Sequence, residues 1–100
     1  MIQRIALFKL KSEFCNEEGR KEVAARTRAV LSALPDVKRV KVGVPSDDES
    51  LKSWDVSICV EFDDMEAVER YKVDADHRRH VDEYMMPRVE VRKAWNFEVE

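Results

Sequence analysis

The sequence has few of the residues that interrupt regular structure, with only two glycines and three prolines among its 100 residues. It therefore offers no glycine-rich phosphate loop and no flexible linker, and its length fits one domain spanning residues 1–100. An excess of one charge is also lacking, because 18 basic and 21 acidic residues leave a net charge of −3. A surface of mixed charges has no strong field to attract nucleic acid, so we expect no such partner.

Cysteines and long apolar runs are equally scarce. The two cysteines, Cys15 and Cys59, belong to no CxxC or Cys/His ligand pattern, so we expect no metal site and reduced thiols in a cytoplasmic protein. No apolar run approaches the ~20 residues of a membrane span, and we therefore expect no membrane partner. The alternating stretch Met1–Leu10 contains Arg4 and Lys9, which is unlike a signal peptide.

The hydrophobic pattern predicts elements in the order β-α-β-β-α-β, which is the ferredoxin-like α+β fold with an antiparallel four-stranded sheet. The second helical stretch should break at Asp74–Asp76, with Asp63 or Asp64 capping its first half, Asp76 capping its second half and Pro87 ending it. The predicted strands are Ile2–Lys11, Val37–Val44, Trp54–Phe62 and Val89–Val99, and the predicted helices run from Asn16 to about Leu34 and within Met65–Met86.

Both faces of the first strand carry apolar residues. Ile5 and Leu7 lie on one face, and Ala6, Phe8 and Leu10 share the other face with Arg4. Two helices can cover only one face of the sheet, and we assign Phe8 and Leu10 to the open one. Together with one set of residues from each later strand, this face would be a large exposed patch. In the last strand one face carries an apolar row of Val89, Val91, Trp95, Phe97 and Val99. We therefore predict a homodimer that forms through the sheet faces.

The stretch Met65–Met86 contains both histidines and Tyr71. His77 precedes Val81 by four residues and Tyr84 by seven, so its ring should share their inward face. His80 lies about 60° further round the helix among charged neighbours, and we expect it to meet water. His77 is thus the candidate for chemistry, although a core-edge histidine that donates to a backbone carbonyl fits the pattern as well.

Four segments together resemble the stress-responsive A/B barrel (Dabb) family: the opening IQRIALFKLK, the strands VKRVKVGV and WDVSICVEF, and the run that ends in DADH. The resemblance implies a dimeric α+β barrel, in which the sheets of two subunits close over a central space. In cyclase-like members a histidine on the first strand, a later histidine and a tyrosine face a cavity. The resemblance matches His77 to the later histidine and Tyr71 to the tyrosine, and it places Arg4 where the first histidine stands.

Two functional hypotheses follow. In the first, the protein is a non-catalytic homodimer of unassigned activity that binds a small anionic or hydrophobic ligand in the barrel, through Arg4, Ala6 and Phe8. In the second, it is a cofactor-independent polyketide cyclase or isomerase with His77 as general base and Tyr71 polarising a carbonyl. Arg4 would then anchor a carboxylate, since arginine keeps its proton and cannot serve as a base. The missing histidine at position 4 favours the first hypothesis.

Three further groups fit structural roles at least as well as chemical ones. Trp54 and Trp95 could line a ligand cavity, but large aromatics on strands are typical of a core or a dimer interface. The acidic run 47–49 could bind a cation, but we interpret it as part of a solvated loop, Pro45–Ser53. Cys59 has no evident base beside it, so we interpret it as a buried or half-buried thiol.

Overall fold

The computed structural model describes residues 1–100 and confirms the predicted order of elements. Its four strands form one antiparallel sheet in the order β2-β3-β1-β4, with the helices on one face, which is the predicted ferredoxin-like α+β fold. The elements are β1 (Ile2–Leu10), α1 (Glu17–Ser32), β2 (Arg39–Gly43), α2 (Asp48–Leu51), β3 (Val56–Phe62), α3 (Met65–Val73), α4 (Ala75–Arg79), a π-helical segment (His80–Met85) and β4 (Val89–Glu98). No helix has the length and apolar character needed to cross a membrane.

Short polar side chains start the helices. Asn16 accepts the Gly19 N–H at 2.7 Å to cap α1, and Asp64 accepts the Ala67 N–H at 2.8 Å to cap α3, as predicted. The predicted cap Asp76 is wrong, because Asp74 accepts the backbone N–H groups of both Asp76 and His77. Asp74 has extended backbone angles and stands outside both helices, whereas residue 76 is already inside α4.

The predicted solvated loop Pro45–Ser53 contains one helical turn, α2, which the sequence analysis missed. Asp47 starts this turn by accepting the Ser50 N–H at 2.8 Å. The first residue of the acidic run thus has a capping role, because its side chain satisfies a backbone donor that has no partner in the turn.

The faces of the sheet are the reverse of those predicted for β1. Ala6 and Phe8 pair with Ile58 and Val56 of β3, and all four side chains are buried beneath the helices. Leu10 lies on the same side and is also buried. The assignment of Phe8 and Leu10 to the open face was therefore wrong. Alternation alone could not choose between the two faces, because both rows of β1 are apolar.

The open face of the sheet carries the other rows of residues. Ile5 and Leu7 of β1 are half-buried there, whereas Trp95 and Phe97 of β4 are 42% and 48% exposed. The predicted apolar open face thus exists, but β1 contributes Ile5 and Leu7 to it and not Phe8 and Leu10.

The pairing of β1 with β4 shifts in register between Lys9 and Leu10. The shift changes the face of the sheet on which the first residues of β4 lie. It pairs Leu10 with Val89 and Lys9 with Val91. Val89 consequently packs against the core, whereas Val91 stays on the open face. The predicted row is therefore wrong for Val89.

The start of β3 is held by a buried carboxylate. Asp55, predicted on the polar face of this strand, is fully buried and accepts the Leu10 N–H at 2.8 Å. Arg20 Nη1 lies 3.5 Å from this carboxylate and Lys9 Nζ lies 3.9 Å from it. Asp55 therefore joins the end of β1, the first turns of α1 and the start of β3, and β3 begins only at Val56.

Candidate functional site

A cavity of about 380 Å³ lies between the sheet and the helices of a single chain. Strands β1, β3 and β4 form its floor, and α1, the end of α3, α4 and the π-helical segment form its walls. The structure brings all five candidate residues to this one cavity. These are Arg4, Ala6, Phe8, Tyr71 and His77. They lie on the helix side of the sheet, however, and not on the open face that was predicted to look into a barrel.

Tyr71 and His77 are brought into contact by the turn that Asp74 caps. Tyr71 sits in the last turn of α3 and His77 in the first turn of α4, and both side chains are buried. Their ring centroids are 4.0 Å apart and their planes are inclined by 32°. The Nδ1 atom of His77 is buried and has no hydrogen-bond partner within the chain.

Burial sets the protonation states of this pair. Desolvation lowers the pKa of His77, with the nearby Lys72 backbone acting in the opposite direction. Desolvation raises the pKa of Tyr71 to about 12, although the positive charges of Arg4 and Arg92 oppose the shift. Near neutral pH the site therefore pairs an unprotonated imidazole with a protonated phenol. The first group can accept a proton and the second can donate a hydrogen bond.

Arg4 brings a cation to the same cavity. Its guanidinium Nη1 donates to Asn96 Oδ1 at 3.0 Å, and no carboxylate lies within ion-pair distance of it. Burial lowers the pKa of Arg4. An arginine does not lose its proton in proteins, so the guanidinium keeps its positive charge. A half-buried cation whose hydrogen-bond partner is neutral can accept an anionic group of a ligand.

His80 also lines the cavity, so its predicted exposure to water was wrong. The residue is only 7% exposed, and its Nε2 lies 3.2 Å from the hydroxyl oxygen of Thr27 in α1. An inward helix stripe is at least about 100° wide, so two residues about 60° apart can both face the core. The charged neighbours of His80 hid this position, and the role of the Thr27 hydroxyl was missed as well.

The π-helical segment begins at His80, and its wider turn is visible in the hydrogen bond from the Met86 N–H to the Val81 carbonyl at 2.9 Å. Burial lowers the pKa of His80 to about 4, with smaller contributions from His77 and Arg26. Its ring stacks on Tyr84 at 5.3 Å. His80 is therefore a second neutral imidazole in the wall of the cavity.

A sequence model of the stress responsive A/B barrel domain family matches residues 2–99. The chain belongs to this family. The predicted family membership is thereby confirmed, and the order and pairing of the strands agree with it. A search of curated proteins gave no match.

Solved structures similar to this A/B barrel domain include a Dabb family protein with a ferredoxin-like fold from Mesorhizobium loti, at 22% identity and a TM-score of 0.81, covering 99% of this chain and 96% of that one. A dimeric ferredoxin-like protein of unknown function from Thermobifida fusca has 20% identity and a TM-score of 0.81 over 98% and 90% of the two chains. A hydroxynitrile lyase from Passiflora edulis has 13% identity and a TM-score of 0.79 over 99% and 93%. At these identities the likeness shows the fold.

The remaining candidates lie elsewhere in this A/B barrel domain. Trp95 is on the open face of the sheet, and Trp54 lines a shallow surface depression beside α2. Cys59 is half-buried on the open face, and burial, followed by the charge of Glu61, raises the pKa of its thiol. No group of three or more His, Cys, Asp or Glu side chains is arranged to hold a metal ion.

Proposed function

We propose that this A/B barrel protein is a homodimer that binds a small anionic molecule with an apolar body in the cavity of each subunit. The observation that carries the proposal is the meeting of Arg4, Tyr71 and His77 around one space of about 380 Å³. Cavities of roughly 300–1,000 Å³ with an apolar lining and a few polar groups are typical of small-molecule sites. Ala6 and Phe8 supply part of that lining beside the Arg4 guanidinium.

The open face of the sheet supports the homodimer. Trp95, Phe97 and Val91 are exposed on a face that also contains Ile5 and Leu7, and no helix of the chain covers it. A second copy would cover this row by a two-fold arrangement, in which each subunit presents the same surface. The T. fusca neighbour is described as dimeric. The ligand cavity and this surface lie on opposite sides of the sheet, so each subunit would keep its own site.

The dimer can be tested by sedimentation equilibrium at micromolar concentration. We expect about 23.4 kDa, twice the chain mass of 11.7 kDa. Trp95→Glu should give a folded monomer, because the interface would bury a charge without a partner. Val73→Glu is the matched control, since Val73 is 77% exposed on a helix, and this variant should remain a dimer. A wild-type monomer, or a dimeric Trp95→Glu, would contradict the proposed interface.

A cofactor-independent cyclase or isomerase is the second candidate, and the 4.0 Å contact between Tyr71 and His77 favours it. The neutral imidazole would take a proton from a carbon beside a carbonyl, while the Tyr71 phenol donates a hydrogen bond to the oxygen on which negative charge develops. The carbanion would form a carbon–carbon bond to a second carbonyl of the same molecule, and the imidazolium would return its proton to the resulting alkoxide. The P. edulis neighbour is an enzyme, so this fold is compatible with catalysis.

Ligand binding is tested by titrating the protein with aromatic and short polyketide-like acids while the His77 ring is followed by NMR across pH 5–8. A bound acid should shift the His77 signals, and Arg4→Ala should weaken binding. Arg70→Ala is the control, since it removes an exposed guanidinium that pairs with Asp36 on the helix surface. If no acid perturbs His77, or if Arg4→Ala binds as well as the wild type, the proposed site is wrong.

The same titration separates the two candidate functions. A binding protein leaves each acid unchanged, whereas an enzyme converts one of them to a product that mass spectrometry detects. If turnover is found, His77→Gln should abolish it while the acid still binds, because the amide cannot take the proton. Turnover that persists in His77→Gln would exclude His77 as the base.

A further inference from the structure

Building on the ligand site proposed above, we propose that the cavity selects a molecule with two acidic groups, one held by Arg4 and the other by Arg92. Arg92 was not among the residues singled out from the sequence. It lines the same cavity as Arg4, and the two guanidinium groups come from neighbouring strands.

The strand register places the two arginines at opposite ends of one short row. Arg4 pairs with Asn96 and Arg92 pairs with Phe8, and the pair between them is Ala6 with Ala94. All of these positions are on the helix side of the sheet. The backbones at the two arginine positions are therefore separated by about 13 Å along the strands, at ~3.3 Å per residue, and both side chains reach the cavity between them. The small alanine side chains leave the floor between them open to the body of a ligand.

The charges of the two arginines are not neutralised by ion pairs of the protein. No carboxylate lies within 4.0 Å of either one, whereas the third arginine at the cavity, Arg78, is paired with Asp82 at 2.7 Å. Glu90 is the only acidic residue in the cavity lining, and it is exposed and forms no ion pair. Arg4 and Arg92 are thus each available to a separate carboxylate of a ligand.

Arg4 and Arg92 are close enough to influence each other and Tyr71 electrostatically. The positive charge of Arg92 contributes to lowering the pKa of Arg4, and both arginines oppose the rise in the pKa of Tyr71. Because the two side chains enter the cavity from opposite ends of the row, they favour a molecule with two acidic groups, one for each guanidinium, over a ligand with one acidic group. The substrate or ligand class is accordingly a small dicarboxylate with an apolar centre.

Isothermal titration calorimetry on the full chain, at one fixed low salt concentration and pH 7.5, tests this assignment. The probes are two matched pairs, isophthalate with its monomethyl ester and glutarate with its monomethyl ester, so that each pair differs by one charge on the same skeleton. At least one diacid should bind about tenfold more tightly than its monoester, since a second charge-assisted contact contributes at least about that factor. Inorganic phosphate should compete weakly.

The variants separate this inference from the proposed function. Arg92→Gln should remove the preference for the diacid and leave monoester binding intact, whereas Arg70→Gln, the surface control, should retain the preference. Equal affinity of diacid and monoester, an unchanged preference in Arg92→Gln, or displacement of the diacid by equimolar phosphate would each overturn the two-acid site while the anion site stands. Absence of binding by every acid would overturn the anion site and this inference together.

Discussion

Acidification should destabilise the protein through His80. The pKa of this buried ring is lowered to about 4 from its ordinary value of 6.5, so between these values the unfolded chain holds a proton that the folded chain does not. Stability from this group is complete above pH 6.5, falls as the pH drops through the window and reaches its minimum below about pH 4. The cause is the burial that keeps the imidazole neutral between Thr27 and the cavity.

The size of the effect follows from the two pKa values. At ~1.36 kcal/mol per pKa unit, the difference between 6.5 and about 4 corresponds to about 3.4 kcal/mol. His80 also borders the cavity, where solvent screens part of its charge, and we therefore expect a measured loss of roughly 2–3 kcal/mol. That is a large part of the ~5–15 kcal/mol that stabilises an ordinary domain.

The assay is urea unfolding followed by far-UV circular dichroism at pH 7, 6, 5 and 4, at constant protein concentration. Wild type should lose roughly 2–3 kcal/mol more than His80→Asn over this range, since the amide does not titrate and the carboxylates titrate in both proteins. Thr27→Val is the control: it removes the hydroxyl beside His80 at a cost of about 1 kcal/mol but should keep the wild-type pH dependence. Parallel pH profiles for wild type and His80→Asn would refute the reasoning.

Three further substitutions test the packing. Gly19→Ala should destabilise the fold by roughly 2–4 kcal/mol in urea unfolding, because the new Cβ would lie 2.1 Å from the Phe14 carbonyl oxygen; a loss below 0.5 kcal/mol would contradict this contact. Asp55→Ala should cost about 3–5 kcal/mol, since it leaves the Leu10 N–H and the Arg20 guanidinium without their buried partner, and unchanged thermal unfolding would count against it. Phe8→Asp should abolish cooperative unfolding altogether, so a folded variant, whether monomer or dimer, would show that Phe8 is not in the core.

Most of the fold could be predicted because its elements have clear periodicities. The row Val56, Ile58, Val60 and Phe62 in β3 alternates without interruption, and every member is buried. The sides of β1 could not be assigned in the same way, since apolar residues occupy both of them. Only the pairing of β1 with β3, a contact between distant parts of the chain, decides which row the helices cover.

The site was predictable where its parts are close in sequence. Tyr71 and His77 are six residues apart, and the acidic turn between them indicated that their helices fold toward each other. His80 was misjudged because its neighbours in sequence are charged, although its neighbours in space are Thr27 and Tyr84. Arg92 was missed because it alternates with the apolar row of β4, and a charged residue on the other face of such a strand is usually directed to solvent.

Strand β1 contributes alternate residues to two different surfaces, so its length is under a stricter constraint than its composition. Arg4, Ala6 and Phe8 face the cavity, and Ile5 and Leu7 face the open side. An insertion or deletion of one residue inside β1 would exchange the rows, carrying aliphatic side chains into the cavity and the arginine onto the outer surface. In the evolution or engineering of this chain, a substitution along β1 can change one surface at a time. An insertion or deletion inside the strand alters both surfaces at once.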